Sequence, residues 1–524
     1  MVACTNEDSP VNGENNKFDG EKAYLAVNIV TSEANSRAAG AEGYVDGTGN
    51  ECAVGKARFY FFNADGSAYT NTTTATNANY YETSLSLSAD KDNANEEYQS
   101  TAILVIGTNQ KGETAGTPYS IVAVLNPETA NLGNGSLTLE ELKEETGDYR
   151  LFGENQFLMT NSVYANEGET KMEVFIKPEN LATTAAAALE KPVVIHVERV
   201  VAKMTYTANG SGIAEDGTTL AAGIYDTTTE VDGQRVYAKI TGIAPAHENS
   251  VSNLIKVIDP SWTNVSLGFG EYNWNNAANY RSYWATSAKP EAYSNISSWN
   301  DANNKTYAYC LESTYASEPT EAMFAAQLVK TDGSALEIAE WMGKRYAGGE
   351  DALQIAMANY LKNFWYDKDD KKETFNPEHL IFKTLEDVAN LGIKGYEVKA
   401  VLSDEAPTYY VKDADGGYTS TNVTAMLEAE IAKFAPAKIW KNGMTYYFTP
   451  IEHLGVDNSD AEYGVVRNHV YSINVTGISG LGTPVYKPET EVPTVVPTSD
   501  ESYVAAEIHV LAWRIVNQNV HLGN

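Results

Sequence analysis

The chain has 524 residues, which is too long for one hydrophobic core and indicates about two to four domains. Lys and Arg number 37 against 70 Asp and Glu, and the net charge of −33 argues against binding to nucleic acid or to anionic membrane surfaces. Tyr is abundant at 33 residues and Pro is sparse at 17, and together with frequent turn residues this composition favours a mainly β protein.

The N-terminus carries a candidate lipidation site. The first four residues, MVAC, end at Cys4 and precede a polar tail that extends to Glu21. A cysteine after a small residue and before such a tail is typical of a bacterial lipoprotein, although the apolar segment that usually precedes it is absent, so an N-terminus unrelated to lipidation stays open. With Cys52 and Cys310 the chain has three cysteines, and this odd number indicates no disulfide framework.

The first predicted strand covers residues 23–30. Its alternate positions Ala23, Leu25, Val27 and Ile29 are all apolar, which is the period-two pattern of a half-buried strand. No apolar run in the sequence is long enough to span a bilayer.

A loop of small residues follows this strand. Residues 31–43 have no periodicity, are rich in Ala, Ser, Gly and Asn, and contain a single basic residue at the Arg37–Ala38 bond. Exposed loops of this kind are preferred sites of proteolysis. Cleavage after Arg37 would detach the first strand from the rest of the fold.

The remainder of the first half reads as short strands separated by turns, which indicates a β-sandwich that closes near residue 205. Thr138 and Glu141 form a capping box ahead of a short helix that ends near Glu145. The predicted strands cover residues 57–62, 81–88, 101–107, 120–125, 157–164, 171–178 and 191–210.

The second half is more mixed. Apolar residues at helical spacing predict an amphipathic helix over Ala352–Phe364, and a shorter helix is expected over Ala335–Arg345. Asn376 and Pro377 have the pattern of an N-cap followed by a first-turn proline. Strand patterns return at residues 396–402, 445–451 and 469–475, so the helices are expected to decorate a second sheet.

The chain ends in a tether and a long strand. Residues 484–500 contain four prolines, and such a segment extends about 3.1 Å per residue. Residues 502–520 then begin with an alternating apolar row, and an apolar strand on a tether risks aggregation unless a groove receives it. The row consists of Val504, Ala506, Ile508, Val510 and Ala512.

Patterns typical of catalysis or metal binding are weak. The seven histidines lack metal-ligand spacing, although His453 and His469 could meet across strands in a structural role. The stretches at 367–373 and 413–417 resemble calcium loops but lack the full register, which favours solvated turns. Trp284 and Trp299 could stack on sugars or pack in the core. We therefore expect no catalytic residues, no metal and no cofactor.

The arrangement of the terminal strands has two interpretations. If the first strand leaves, its sheet gains a groove of unpaired backbone groups that a strand of a neighbouring molecule can fill. Contacts of this head-to-tail kind do not close, so they generate a filament. The other interpretation is an ordinary two-domain protein whose terminal strands pair within their own domains.

Several motifs resemble the fimbrilins of Bacteroidales, which are shaft subunits of type V pili. Besides Cys4 and the Ser36-Arg37-Ala38 site, these are VGKARFYFFNADG (54–66), HVERVVAKM (196–204), YCLESTYAS (309–317), GVVRNHVYSINVTGISGLG (464–482) and EIHVLAWRIV (507–516). Their order along the chain is most similar to the shaft subunits of minor fimbriae.

The resemblance implies a structural subunit of a cell-surface fimbria, made as an outer-membrane lipoprotein precursor and supporting adhesion. It implies two transthyretin-like β-sandwich domains and removal of the first strand by an arginine-specific or trypsin-like protease. Arg37 matches the family's cleavage position by its context, and Lys22 is also available to such a protease. The C-terminal strand of one copy would enter the groove of the next. The implied partners are further copies of the chain, accessory fimbrial subunits, and host or bacterial surface ligands. The membrane would be reached only through the lipid anchor.

The expected organisation has four parts: a tail with the removable strand (1–37), an N-terminal sandwich (38–205), a C-terminal sandwich with a helical insertion (206–483), and a tether with the donor strand (484–524). Shaft, anchor and tip subunits share this pattern. The alternative function is a monomeric surface lipoprotein that binds glycans or host proteins, and a secreted hydrolase would require a catalytic constellation that the sequence lacks.

Overall fold

The computed structural model describes most of the chain and leaves segments at both ends and in several loops undescribed. The described residues are 22–30, 51, 53–70, 78–85, 99–107, 117–150, 157–162, 172–210, 217, 219–257, 293–294, 296–314, 319–385, 387–388, 394–453, 463–489, 491–492 and 503–511. Within them the protein is mostly β-strand with a few short helices, as the sequence predicts.

The first half forms a nine-stranded arrangement in the order β3-β2-β5-β7-β10-β1-β4, with β8 beside β5 and β9 beside β1. The strands of the first half are β1 (Lys22–Val30), β2 (Lys56–Phe62), β3 (Tyr80–Ser84), β4 (Gln99–Gly107), β5 (Ser120–Leu125), β6 (Thr146–Gly147), β7 (Met159–Asn161), β8 (Val174–Phe175), β9 (Leu181–Ala182) and β10 (Val193–Arg199). All of them except β6 belong to this arrangement.

Two helices accompany these strands, α1 (Leu139–Glu144) and α2 (Ala185–Ala188). The predicted capping box is present, since the Thr138 hydroxyl accepts from the Glu141 N–H at 3.2 Å and the Glu141 carboxylate accepts from the Thr138 N–H at 2.8 Å. The short 3-10 helices of the chain are Pro127–Ala130, Pro178–Asn180, Pro377–His379 and Lys441–Gly443.

The predicted strand over 191–210 is divided between the two halves. β10 ends at Arg199, and β11 (Val201–Thr207) begins after Val200 alone. The first lies in the sheet of the first half, and the second pairs with strands of the second half. One extended segment therefore connects both halves without a flexible linker.

The second half is built on two sheets in the orders β18-β11-β30-β33 and β12-β13-β19-β29-β31. The added strands are β12 (Ile224–Val231), β13 (Gln234–Ala246), β14 (Glu248–Asn249), β15 (Ser252–Asn253), β16 (Tyr293–Ser294), β17 (Ile296–Ser298), β18 (Tyr307–Leu311) and β19 (Glu321–Val329), with helix α3 (Trp299–Ala302) before β18.

An insertion follows β19 and ends before the strand that begins at Met444. It has its own hydrophobic cluster. Its elements are β20 (Ile338–Trp341), β21 (Lys344–Ala347), α4 (Gly349–Ala358), β22 (Trp365–Lys368), β23 (Lys371–Thr374), β24 (Leu380–Lys383), β25 (Lys399–Leu402), β26 (Tyr409–Lys412), β27 (Tyr418–Thr419), α5 (Val423–Ala432) and β28 (Ala437–Trp440).

The helix expected over Ala335–Arg345 is wrong, because this stretch forms the β20–β21 hairpin. Met342 and Gly343 adopt positive φ angles of 51° and 76° at the turn, and a two-residue turn of this kind matches the twist of paired strands. The following helix α4 begins earlier than predicted and ends at Ala358. Pro377 opens only a 3-10 turn, with the Asn376 side chain as its cap.

The C-terminal strands are β29 (Met444–Pro450), β30 (Val470–Ser479), β31 (Thr483–Pro484), β32 (Glu491–Val492) and β33 (Tyr503–Leu511). Two short pieces of the expected tether are paired, since β31 lies beside β29 and β32 beside β17. The tether is therefore held against the second half at these points, while residues 493–500 lie outside the described part.

Candidate assembly site

The first strand, β1, lies between other strands of its sheet. On one side it pairs antiparallel with β4 along its whole length, from Lys22 opposite Gly107 to Val30 opposite Gln99. On the other side, Val27–Val30 run parallel to β10, and Tyr24 and Leu25 pair with β9. Removing β1 would thus leave two rows of unpaired backbone groups facing each other.

Both faces of β1 are covered at its centre. Leu25 and Val27 are fully buried in the hydrophobic cluster of the first half. Ala26 lies between them, has no exposed surface, and points to the opposite face because side chains alternate along a strand. Helix α2, which lies between β9 and β10 in the chain, packs against β1. The centre of the β1 position therefore accommodates only a small side chain at Ala26.

The C-terminal strand β33 lies at the edge of a sheet in the second half. It pairs antiparallel with β30, with Ile508 opposite Ile473 and Val510 opposite Tyr471. Among the described strands, none pairs with its other edge. A strand held on one side only can be withdrawn without breaking the sheet in two.

Some of the predicted site residues belong to β1 and β33, and others lie outside the part of the chain that the structure describes. Cys4, Arg37, Ala38 and Ala512 lie outside the described residues. Ala23 and Ile29 belong to β1, and Val504, Ala506, Ile508 and Val510 belong to β33. The roles of these residues in cleavage, removal and donation stay predictions.

A buried ionic network, which the sequence reading missed, connects the two halves. Arg467 and Glu312 are both fully buried and pair at 3.0 Å, and the guanidinium also donates to the carbonyls of Asn253 and Leu254 at 2.6 and 2.9 Å. These carbonyls belong to a segment at β15, which pairs with β6 of the first half. We call this contact region the joint, formed by residues 248–257, 309–312 and 467–469 packed on the first half.

Two further ion pairs cross the joint. Lys256 contacts Glu198 at 3.4 Å with about 1% of either side chain exposed, and Arg150 contacts Glu248 at 2.6 Å. Burial raises the pKa of the Glu198 carboxyl, and the nearby Lys256 opposes that shift. The sequence signal for these buried ion pairs is the presence of charged residues within strand-like motifs such as HVERVVAKM. Charged side chains are seldom buried without a partner, so charges in a buried strand indicate ion pairs.

The carboxyl of Glu248 gives a pH prediction. Burial raises its pKa to about 7, against the opposing effect of Arg150, so the folded protein holds this proton more tightly than the unfolded chain. Its contribution to stability is complete below the unfolded pKa of 4.5 and is lost as the pH rises towards 7. Glu248→Gln should therefore reduce the fall of the unfolding free energy between pH 5 and 7, by up to about 1.4 kcal/mol per pH unit.

Urea titrations of both proteins at pH 5, 6 and 7 measure this difference. Glu430→Gln, which alters an exposed carboxylate on α5, is the matched control and should keep the slope of the unaltered protein. Parallel slopes for Glu248→Gln and the unaltered protein would contradict the assignment.

The other candidates for chemistry have structural positions. The rings of His453 and His469 lie 5.3 Å apart, both fully buried, and His453 is within 3.0 Å of the Tyr471 hydroxyl. The indole of Trp299 donates to the carbonyls of Ala326 and Thr445, which makes it a core residue. Trp284 and Cys52 lie outside the described residues.

The calcium-like stretches form hairpin turns. In 413–417 the Asp413 carboxylate accepts from the N–H groups of Asp415 and Gly417 at 3.0 and 2.7 Å. In 367–373 the chain turns between β22 and β23 at Asp369 and Asp370. Over the described part of the chain, no group of three or more His, Cys, Asp or Glu side chains is placed to hold a metal ion. No helix there is long and apolar enough to cross a membrane.

Comparison with known proteins points to the subunits of fimbriae. Residues 438–519 match the family model described as major fimbrial subunit protein type IV, fimbrillin, C-terminal. This segment contains β28 to β33, including the edge strand. The match confirms the resemblance to the fimbrilins for this part of the chain. No curated protein sequence matches the chain.

Solved structures of similar proteins include a fimbrilin from Porphyromonas gingivalis, with 15% identity, a TM-score of 0.36, and coverage of 94% of this chain and 98% of that one. A C-terminally truncated tip fimbrial protein from the same organism has 10% identity, a TM-score of 0.31, and coverage of 93% and 99%. A fimbrial assembly protein from Parabacteroides distasonis has 13% identity, a TM-score of 0.30, and coverage of 60% and 90%.

At these identities and TM-scores the solved structures add no argument to the family match. The match supports the role of a fimbrial subunit at the cell surface. The matched family is one of fimbrial structural subunits and not of enzymes.

Proposed function

We propose that the chain is a shaft-type subunit of a type V pilus that polymerises by protease-activated donor-strand exchange and supports adhesion. A protease of arginine-specific or trypsin-like type cuts the Arg37–Ala38 bond, and β1 leaves the first half. The C-terminal strand of another copy then fills the vacated position. The precursor is an outer-membrane lipoprotein attached through Cys4.

The position of β1 is the observation that carries this proposal. A strand at a sheet edge would leave one unpaired edge, but β1 has partners on both sides and three fully buried side chains. Its removal therefore exposes a slot of backbone donors and acceptors above an apolar floor. A second strand with a similar apolar row restores both kinds of contact.

The edge position of β33 supports it from the other end. Because β33 lies in the second half and the slot lies in the first, transfer of β33 between copies links them head to tail. Contacts of this type extend into a filament without closing. The joint then carries the load from the slot to the donor strand within each subunit.

Limited trypsin digestion tests the activation step. We expect cleavage after Arg37 before most other basic sites, because the small-residue loop opens at little cost while basic residues in strands do not. N-terminal sequencing of the digest should then start at Ala38, and polymers should appear as a ladder on gels run without boiling. Arg37→Gln is the matched control and should delay both results.

Two outcomes would count against this model. One is a protein that stays intact at Arg37 while it is cut at other sites. The second is filament formation by cleaved protein that lacks residues 502–524, since no donor strand would then be present.

Lipidation is tested separately through Cys4→Ser. We expect this variant to release the precursor from membranes, because the lipid attached at this residue is the proposed membrane anchor. Fractionation of cells into soluble and membrane material measures the release, with Cys52→Ser as the control that should stay attached. Unchanged membrane association of Cys4→Ser would refute attachment at this residue.

A further inference from the structure

The sequences of β1 and β33 share more than an apolar row. Residues 23–30 read AYLAVNIV and residues 502–509 read SYVAAEIH. Aligned without gaps, they have Tyr24 with Tyr503, Ala26 with Ala505, and Ile29 with Ile508 as identical pairs. The apolar positions Leu25 and Val27 correspond to Val504 and Ala506.

The full burial of Ala26 limits which residue of an incoming strand can take its position. The side chain of Ala26 has no exposed surface, and its neighbours Leu25 and Val27 are fully buried on the other face. An incoming strand therefore needs a small residue between two apolar residues. In residues 503–511 only Ala505 meets this condition, because placing Ala506 there would put Glu507 at the buried position of Val27.

We propose that the donor strand of a second copy enters with Ala505 at the position of Ala26 and runs in the same direction as β1. This inference rests on the proposed donor-strand exchange and adds its register and direction. The reverse direction also allows Ala505 at this position. It would, however, place Glu507 at Tyr24 and Tyr503 at Asn28, and lose two of the three identities.

Backbone pairing cannot choose this register alone, because a slip of one residue turns every side chain to the other face. The buried position at Ala26 selects the register, because it accepts only a small side chain. In the proposed register, Glu507 lies opposite Thr101 of β4, where Asn28 lies now. In the reverse direction, Glu507 would lie opposite Val105, the present partner of Tyr24.

Cysteine cross-linking distinguishes the two directions. Directly opposed strand residues have Cα atoms about 4.5–5.5 Å apart, which suits a disulfide. Full-length Thr101→Cys with Glu507→Cys, in a Cys52→Ser background and cleaved at Arg37, should give an oxidised ladder that survives boiling and disappears on reduction. Val105→Cys with Glu507→Cys is the matched control and should give none.

The cross-linking results distinguish the direction of the donor strand, its register and the exchange itself. A boiling-resistant ladder from the Val105 pair would overturn the direction. Polymers that appear without boiling but cross-link in neither pair would overturn the register and leave the exchange itself standing. If the Cys52→Ser parent forms no polymers after cleavage at Arg37, both the exchange and the register fall.

Bulk at the covered position provides an independent test. Ala505→Leu should lower the polymerised fraction about tenfold or more, because overpacking of a closed site typically costs at least that factor. Glu507→Leu places the same side chain two residues away and should polymerise normally. Circular dichroism of both monomers checks that they are folded, and normal assembly of a folded Ala505→Leu protein would overturn the proposed register.

Discussion

Replacing Ile508 and Val510 by Asp together should abolish polymers. In the proposed assembly Ile508 takes the position of Ile29 in the apolar row that β1 vacates, and Val510 follows two residues further along the same face of the strand. Burial of one Ile or Val contributes about 1.5–3 kcal/mol, and burial of an unpaired carboxylate opposes it further. The loss is expected on unboiled gels after cleavage at Arg37, and deletion of residues 502–524 should give the same result.

The matched control places the same charges on the other face of the strand. His509→Asp with Leu511→Asp should still polymerise, because these positions alternate with the apolar row. Circular dichroism should show both variants folded as monomers, since β33 lies at the edge of its sheet. Equal loss of polymers in both double variants would indicate a general effect of charge and contradict the assigned face.

Arg467→Met should destabilise the folded protein by about 3–5 kcal/mol, because it leaves the fully buried Glu312 carboxylate without its cation. The same change removes the donors to the carbonyls of Asn253 and Leu254 at the joint. Urea denaturation at neutral pH measures the loss. Lowered cooperativity between the two halves is expected along with it, since these contacts cross the joint.

Two controls separate the buried pair from a general effect of charge. Lys433→Met removes an exposed pair with Glu430 and should change the unfolding free energy by about 0.5 kcal/mol or less. Arg467→Met combined with Glu312→Leu should recover part of the loss, because no uncompensated charge is then buried. A single Arg467→Met variant as stable as the Lys433→Met control would show that the joint does not depend on this pair.

Local sequence signals were sufficient where the pattern lies in neighbouring residues of the chain. The alternation in residues 23–30 and the apolar run at 120–125 predict strands that the fold contains as β1 and β5. The capping box at Thr138 predicts α1, since its hydrogen bonds involve neighbours in the chain. The fimbrilin motifs indicate the resemblance, and the family match confirms it for residues 438–519.

Local signals failed where a turn decides between two patterns. Residues 335–345 contain apolar spacing that suits a helix, yet the positive φ angles at Met342 and Gly343 reverse the chain into the β20–β21 hairpin. The apolar pattern of α4 continued beyond Ala358, but the residues after it pack on the same cluster without extending the helix. Packing within the insertion determined both outcomes.

The sequence by itself determined that the protein is β-rich and acidic, that an apolar strand lies near each end, and that a basic residue lies in a loop beside the first strand. Those properties follow from composition and from neighbours in the chain. Only the tertiary structure decided that β1 lies between β4 and β10, that Ala26 is covered, and that Arg467 meets Glu312 at the joint. These are contacts between residues 69 or more positions apart, and a pattern of period two carries no information about which distant strand will pair with it.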